Sequence, residues 1–307
     1  MLVGICHTKI KADATALTNA FKRGIESQGD KVIEIPHVKD LWKLENCDVS
    51  FQVCDQHFSD REAGGLQKFD GNNFRAGTKL FKKNRIILDA GFIKHGKQFH
   101  FNEAYYSINI NSIKRFGTSH TKNSPPDRWK KLGIKKPTWR KDGDHVLVIG
   151  QNEQGVGTSS IRKKGLSFLE WSNNILKKIR NHTNRKIIYK PHPHQAFLPD
   201  AVENCIVLPV STEDKISNYF LDCWCAVSLA SNGAIDCVMN GIPVVTNDEM
   251  SMVYDISSHS LKEIENPKMQ NITQWLYDIS YAQWNMKEVE AGESWLYIKD
   301  CLNPQLP

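Results

Sequence analysis

Ser228-Leu-Ala-Ser-Asn-Gly-Ala-Ile-Asp-Cys-Val-Met-Asn-Gly-Ile-Pro-Val-Val245 reads as the end of a strand, a tight polar turn, a short helix and the start of the next strand. Cys223 to Leu229 is an almost unbroken apolar run, the pattern of a strand covered on both faces. Ser231-Asn232-Gly233 forms the turn; Ser231 or Asn232 is suited to cap the helix, and Gly233 lets another group approach the backbone. Ile235, Val238 and Met239 recur at helical spacing, Gly241 ends the helix and Pro243 forbids its continuation. A helix start attracts phosphate, and Asp236, one turn in, is within reach of a ribose hydroxyl. An ordinary strand–helix unit of an α/β protein has the same outline.

A second motif narrows the reading. Lys186-Ile-Ile-Tyr-Lys-Pro-His-Pro-His194 is a strand that ends in Lys190, His192 and His194, with two prolines fixing the backbone beside them. Ligands of open α/β sheets bind at this carboxyl end. A third segment has the same placement. His145-Val-Leu-Val-Ile149 is a strand, and Gly150-Gln151-Asn-Glu-Gln-Gly155-Val-Gly157 follows as a polar glycine loop able to cradle a diphosphate. That loop matches neither the dinucleotide fingerprint nor the P-loop.

The Lys-Pro-His-Pro strand end and the Ser-Asn-Gly-Ala-Ile-Asp…Gly-Ile-Pro-Val-Val unit together resemble the nucleotide-sugar half of GT-B glycosyltransferases of the capsule type. Asp236 stands where many such enzymes carry Glu, and Asn-Gly where many carry a Thr-containing turn. Tyr281-Ala-Gln-Trp-Asn-Met-Lys-Glu-Val-Glu-Ala-Gly-Glu-Ser-Trp295 resembles the tail of a phage-type transferase group. The resemblance implies an α/β, GT-B-like fold of two Rossmann-like domains facing a central cleft. It implies a nucleotide-sugar donor, with UDP-sugar foremost, no permanently bound cofactor, and inverting, metal-independent transfer.

Towards the N-terminus the pattern is again alternating α/β. Leu2–Ile5 is a strand, Ala14–Ile25 carries helical periodicity, Lys31–Ile35 is a second strand and Cys47–Val53 a third. Met1-Leu-Val-Gly-Ile-Cys6 reads as a first strand rather than a signal peptide, because no basic region precedes it. His7 follows the first strand and is a candidate acceptor-side group, or else a solvated loop histidine. Arg85-Ile-Ile-Leu-Asp89 is a strand ending in a carboxylate, so Asp89 is the leading candidate for the general base. A helix cap or turn residue is the plain alternative for it. Asp48, Asp55 and Asp60 lack a clear strand-end position.

Between Lys114 and Lys141 the chain is basic: Lys114, Arg115, Lys122, Arg128, Lys130, Lys131, Lys135, Lys136, Arg140 and Lys141 stand against the single acid Asp127. Trp129 and Trp139 interleave, as base-stacking residues do in nucleic-acid contacts. Lys114, Arg115, Arg128, Lys130 and Lys131 are therefore candidate DNA contacts, against the plainer reading of a solvated interdomain connection. The break in pattern between about Thr121 and Asp144 divides the chain into an N-terminal acceptor-binding domain, 1–140, and a C-terminal nucleotide-sugar domain, 141–307, closed by C-terminal helices.

Composition excludes other classes. The chain has 307 residues, 40% hydrophobic content, 24% charge and a net charge of +6, which describes a globular protein of two domains. No apolar run reaches the roughly 20 residues that span a bilayer, so membrane insertion is not expected. The eight cysteines are scattered through apolar runs and read as reduced core thiols of a cytoplasmic protein, in the host cytoplasm if phage-encoded.

The expected reaction is transfer of a sugar to a hydroxyl. A hydroxymethylated base (5-hydroxymethylcytosine type) in phage DNA is the first acceptor candidate, favoured by the basic stretch and the phage-like tail. Such a base must be reached by flipping. A polysaccharide or lipid-linked glycan is the second. A non-catalytic nucleotide-sugar or nucleic-acid binding protein, and a nucleotide-sugar epimerase, are the readings from other classes.

Overall fold

The computed structural model describes residues 1–6, 12–36, 38–53, 84–94, 103–153 and 155–302. The chain divides into two compact units, one made of Met1–Leu132 with Tyr277–Pro307, the other of Gly133–Leu276.

In the first unit, β1 (Leu2–Cys6), β2 (Lys31–Ile35), β3 (Val49–Val53) and β4 (Asn84–Ala90) are parallel, and β5 (Tyr105–Ile110) is antiparallel to β4. A short strand, Gln283–Asn285, pairs antiparallel with β5, so the described sheet has the order Gln283–Asn285, β5, β4, β3, β1, β2. The chain winds from β1 to β2 on one side and to β3 on the other, which sets a topological switch point between β1 and β3. Alternate residues Val3, Ile5, Val49, Phe51, Ile86 and Leu88 point to one face and bury there against Leu17, Phe21 and Ile25 of the helix Ala12–Ser27. Phe21 stacks on Phe51 with ring centroids 4.0 Å apart.

The closing segment was expected to finish the second domain. Instead Trp284, Met286, Val289, Trp295 and Ile298 join the apolar core of the first unit. Contact between Gly24 and Gly292 explains why. A Cβ on Gly24 would lie 2.1 Å from the Val289 carbonyl oxygen, and one on Gly292 2.6 Å from the Gly24 oxygen. Only bare backbone allows the two segments to approach this closely. Gly292, at φ +81°, also breaks the closing helix into Met286–Glu290 and Glu293–Leu302.

In the second unit β6 (His145–Ile149), β7 (Lys186–Lys190), β8 (Cys205–Val207), β9 (Cys223–Ser228) and β10 (Val244–Val245) form an all-parallel sheet of order β10-β9-β6-β7-β8. This is the doubly wound order 3-2-1-4-5, with the switch point between β6 and β9. The helix Phe168–Arg180 begins with a Ser167–Glu170 capping box and buries Phe168, Leu176 and Ile179. Cys223, Cys225 and Cys237 are buried free thiols; desolvation pushes Cys223 up to about 12 and Cys225 and Cys237 well above their ordinary value. No helix among the described residues is long and apolar enough to cross a membrane.

Candidate functional site

Three strand ends meet at the carboxyl edge of the second sheet. β6 runs into Gly150, whose N–H donates to the Lys190 carbonyl at 2.8 Å. A Cβ on Gly150 would lie 2.7 Å from Pro191 Cα and 2.8 Å from the His192 nitrogen, so the glycine is what allows the two strand ends to close on each other. Gln151 was expected to face a ligand. Its side chain is instead buried, and its Oε1 accepts the Ala230 N–H at 3.2 Å, bracing the glycine loop against the end of β9. Thr158 Oγ1 donates to the Glu153 carbonyl at 2.7 Å, and Arg162 Nη1 donates to the same carbonyl at 2.8 Å. The loop is thus held in shape by its own polar groups.

The end of β7 is equally fixed. Gln195 accepts the His192 N–H at 3.3 Å and donates to the Tyr189 hydroxyl at 2.9 Å and the Phe197 carbonyl at 2.8 Å. His192 Nδ1 accepts the His194 N–H at 3.0 Å, which leaves Nε2 to carry the ring proton. Burial, then the positive charges of His194 and Lys190, lower the His192 pKa to about 4. His192 is therefore a neutral N–H donor near pH 7. His194 is exposed beside it.

Lys190 supplies the positive charge here. It is 4% exposed, and its Nζ lies 3.4 Å from Asp214 Oδ2 and donates to the Pro191 carbonyl at 3.3 Å. Asp214 in turn accepts from the Tyr219 hydroxyl at 2.8 Å and from Asn218 Nδ2 at 3.0 Å. Burial pushes the Asp214 carboxyl up, but these hydrogen bonds and the Lys190 charge outweigh it and hold the group below the usual range. Sequence reasoning missed Asp214, Asn218 and Tyr219, because their loop between β8 and β9 carries no motif.

At the end of β9, Ser231 Oγ accepts the Gly233 N–H at 3.3 Å, whereas Asn232 occupies the cap position of the helix Gly233–Met239 without a side-chain cap bond. A Cβ on Gly233 would meet Ile216 Cδ1 at 2.9 Å and Ile149 Cγ2 at 3.3 Å. The β8–β9 loop therefore reaches both the end of β7, through Asp214, and the start of this helix, through Ile216. Asp236 is half-buried one turn in. Beyond β10, buried Asp248 accepts from Ser160 Oγ and from the Met250 N–H at 2.9 Å, tying the loop after β10 to the segment after the glycine loop. Gly150, Lys190, His192, Ser231, Asn232 and Gly233 thus line adjacent strand ends around the switch point.

In the first unit, Asp89 is the second-last residue of β4, half-buried, and its Oδ1 accepts the Ala90 N–H at 2.8 Å. Its strand neighbours the switch-point strand β3. Asp48 accepts the Leu2 N–H at 2.7 Å at the opposite, amino edge of the sheet. His7, Asp55 and Asp60 lie outside the described residues.

The basic stretch does not form one surface. Arg128 is 7% exposed and its guanidinium lies 3.5 Å over the Trp284 ring. It donates to the carbonyls of Ser280 at 3.1 Å and Gln283 at 2.9 Å, and pairs with Glu288 at 3.0 Å. Lys131 pairs with the same Glu288 carboxylate at 2.9 Å. Lys114 is buried at φ +53°. Arg115 is half-buried with its guanidinium 5.8 Å over the Phe116 ring. Trp129 is buried, and half-buried Trp139 donates Nε1–H to the Gln270 carbonyl at 2.8 Å. Arg128 and Lys114 are accordingly corrected from DNA contacts to interior residues. Lys130 stays exposed.

No protein-family model matches the chain and no curated protein matches it. Among solved structures, the chain is similar to Thermosulfurimonas dismutans KpsC, a beta Kdo 2,7 transferase, at 14% identity and a TM-score of 0.49, covering 97% of this chain and 99% of that one. It is similar to the transcription regulator CcpA of Lactococcus lactis at 10% identity and a TM-score of 0.26, over 100% and 93%. It is similar to Salmonella D-lactate dehydrogenase at 11% identity and a TM-score of 0.18, over 81% and 71%.

Proposed function

We propose that the chain is a glycosyltransferase of the GT-B type, whose second unit binds a nucleotide sugar and whose first unit supplies the acceptor-side groups. The observation that carries this reading is the convergence of β6, β7 and β9 at a switch point, with buried Lys190 and half-buried His192 both at the end of β7. A diphosphate at that edge would meet a fixed cation, Lys190, and a neutral N–H donor, His192. Charge on the departing nucleotide would develop where these groups are already oriented. Asp236 is the proposed ribose contact, UDP-sugar the proposed donor, and Asp89 the proposed base for the acceptor hydroxyl, with His7 second.

Direct displacement with inversion, without a bound metal, is the proposed course. The acceptor is proposed only as a hydroxyl, because Arg128 and Lys114, two of the five candidate DNA contacts, are interior. Calorimetry against a panel of nucleoside diphosphates and nucleotide sugars tests the donor site. Incubation of the best donor with hydroxymethylated DNA and, separately, with polysaccharide and lipid-linked glycans, followed by mass analysis, tests transfer. Micromolar donor binding and sugar on one acceptor class are expected. Binding without transfer to any acceptor would leave a binding protein, and no nucleotide binding would end the reading.

A further inference from the structure

We infer that Asp214 is a positioning residue for the anion site, holding the Lys190 ammonium in place over the carboxyl edge of β6 and β7. This rests on the nucleotide-sugar reading of that edge. A lysine side chain is rich in rotamers, so an ammonium on a four-carbon stem stays in one place only if something holds it. Burying an ammonium also demands a compensating charge. Lys190, at 4% exposed, has both needs met by one carboxylate, the Asp214 Oδ2 at 3.4 Å, with the Pro191 carbonyl at 3.3 Å as the second contact.

Asp214 can do this because it is itself anchored. Asn218 and Tyr219, four and five residues on, donate to its two oxygens at 3.0 Å and 2.8 Å. The Tyr219 carbonyl is bonded at 3.0 Å to His145 Nε2, at the first residue of β6. Ile216, between them, packs where a Gly233 side chain would stand. The segment Asp214–Tyr219 is thus fastened to the strand that precedes the glycine loop, to the end of β7 and to the start of the following helix. It forms a wall of the site that no sequence motif marks. The Lys190–Asp214 contact is long compared with the 2.8 Å and 3.0 Å bonds that anchor Asp214. Asp214 therefore stays with its own loop while the Lys190 ammonium turns its third N–H to an incoming phosphate.

A double-mutant cycle on inorganic pyrophosphate and uridine diphosphate binding, measured by calorimetry on the full chain at fixed salt, tests this. Lys190→Met should weaken both probes. Asp214→Asn should weaken them about tenfold in the native background and less than twofold in the Lys190→Met background. Tyr219→Phe, which removes one hydroxyl and leaves the charge pair, should weaken them about two- to fivefold and covers the case in which Asp214→Asn fails to fold. Unchanged or tighter binding in Asp214→Asn, with Lys190→Met still weakened, would overturn the positioning role and leave the site reading intact. Unchanged binding in Lys190→Met would overturn the site reading itself. Equal loss from Asp214→Asn in both backgrounds would mean that the residue acts only through the fold.

Discussion

Arg128 and Glu288, 160 residues apart in sequence, form a buried ion pair with Nη2 3.0 Å from Oε2. The Trp284 ring lies against the guanidinium face at 3.5 Å, and Asn285 completes a capping box with the same glutamate. Burial pushes the Glu288 carboxyl up, but Arg128 and Lys131 outweigh that and hold it below its ordinary value. Removing one partner strands the other charge in the interior, which costs about 3–5 kcal/mol. Arg128→Ala and Glu288→Ala should therefore each lower stability by that order in denaturant titrations. Losses within about 0.5 kcal/mol for both, the range of ordinary surface substitutions, would show that the pair is solvated and would return Arg128 to the surface cations.

Lys190→Ala should weaken binding of a nucleoside diphosphate by about 1–3 kcal/mol, the range for losing a charged hydrogen bond. Calorimetry with uridine diphosphate reads this directly, and undiminished affinity counts against the strand-end site.

Asp89→Asn should keep donor affinity and lose transfer rate by about 10²-fold or more, since a carboxamide cannot accept the acceptor's proton. Near-normal turnover in a folded variant would remove Asp89 from the mechanism.

Stability should rise with pH between about 4 and 6.5. His120 is lowered to about 4 by burial, and His192 to about 4 by burial together with His194 and Lys190. The unfolded chain protonates both rings below about 6.5 while the folded chain does not, so it binds more protons across that window and acid favours unfolding. Each tenfold weakening of proton binding on folding corresponds to about 1.4 kcal/mol, less where water still reaches the ring, so about 1–3 kcal/mol should be lost by pH 4.5. His120→Gln and His192→Gln should flatten the urea-midpoint profile between pH 4.5 and 6.5. An unchanged slope in the double variant would refute the assignment.

The strands of the second unit were legible because both faces are covered: Val146–Ile149 and Cys223–Val227 are continuous apolar runs, and both strands are buried throughout. The proline-fixed Lys190 and the glycine after β6 were legible because their backbone requirements are local. Asp214 and Glu288 were not, because each acquires its role from a partner brought in by folding. The charge count from Lys114 to Lys141 could not distinguish a surface lysine from an arginine whose counter-ion lies 160 residues onward. Gln283–Asn285 was missed as a strand because three residues show no alternation, and its value lies in Gln283 Oε1, which accepts the N–H groups of Phe92 and Ile93 at 2.8 Å each.

The return of the chain to its first unit has a consequence for synthesis. Gly133–Leu276 is one uninterrupted stretch and can complete its sheet as soon as it leaves the ribosome. The earlier-made residues cannot, since their edge strand and five apolar core side chains, Trp284 to Ile298, emerge only after the second unit. Through translation of more than a hundred intervening residues the N-terminal part therefore lacks these side chains, among them Trp295, whose ring meets that of Phe21 edge-on with centroids 6.1 Å apart. A chain stopped after Leu276 would release a finished second unit joined to an unfinished first one, and chaperones or proteases would meet the N-terminal half.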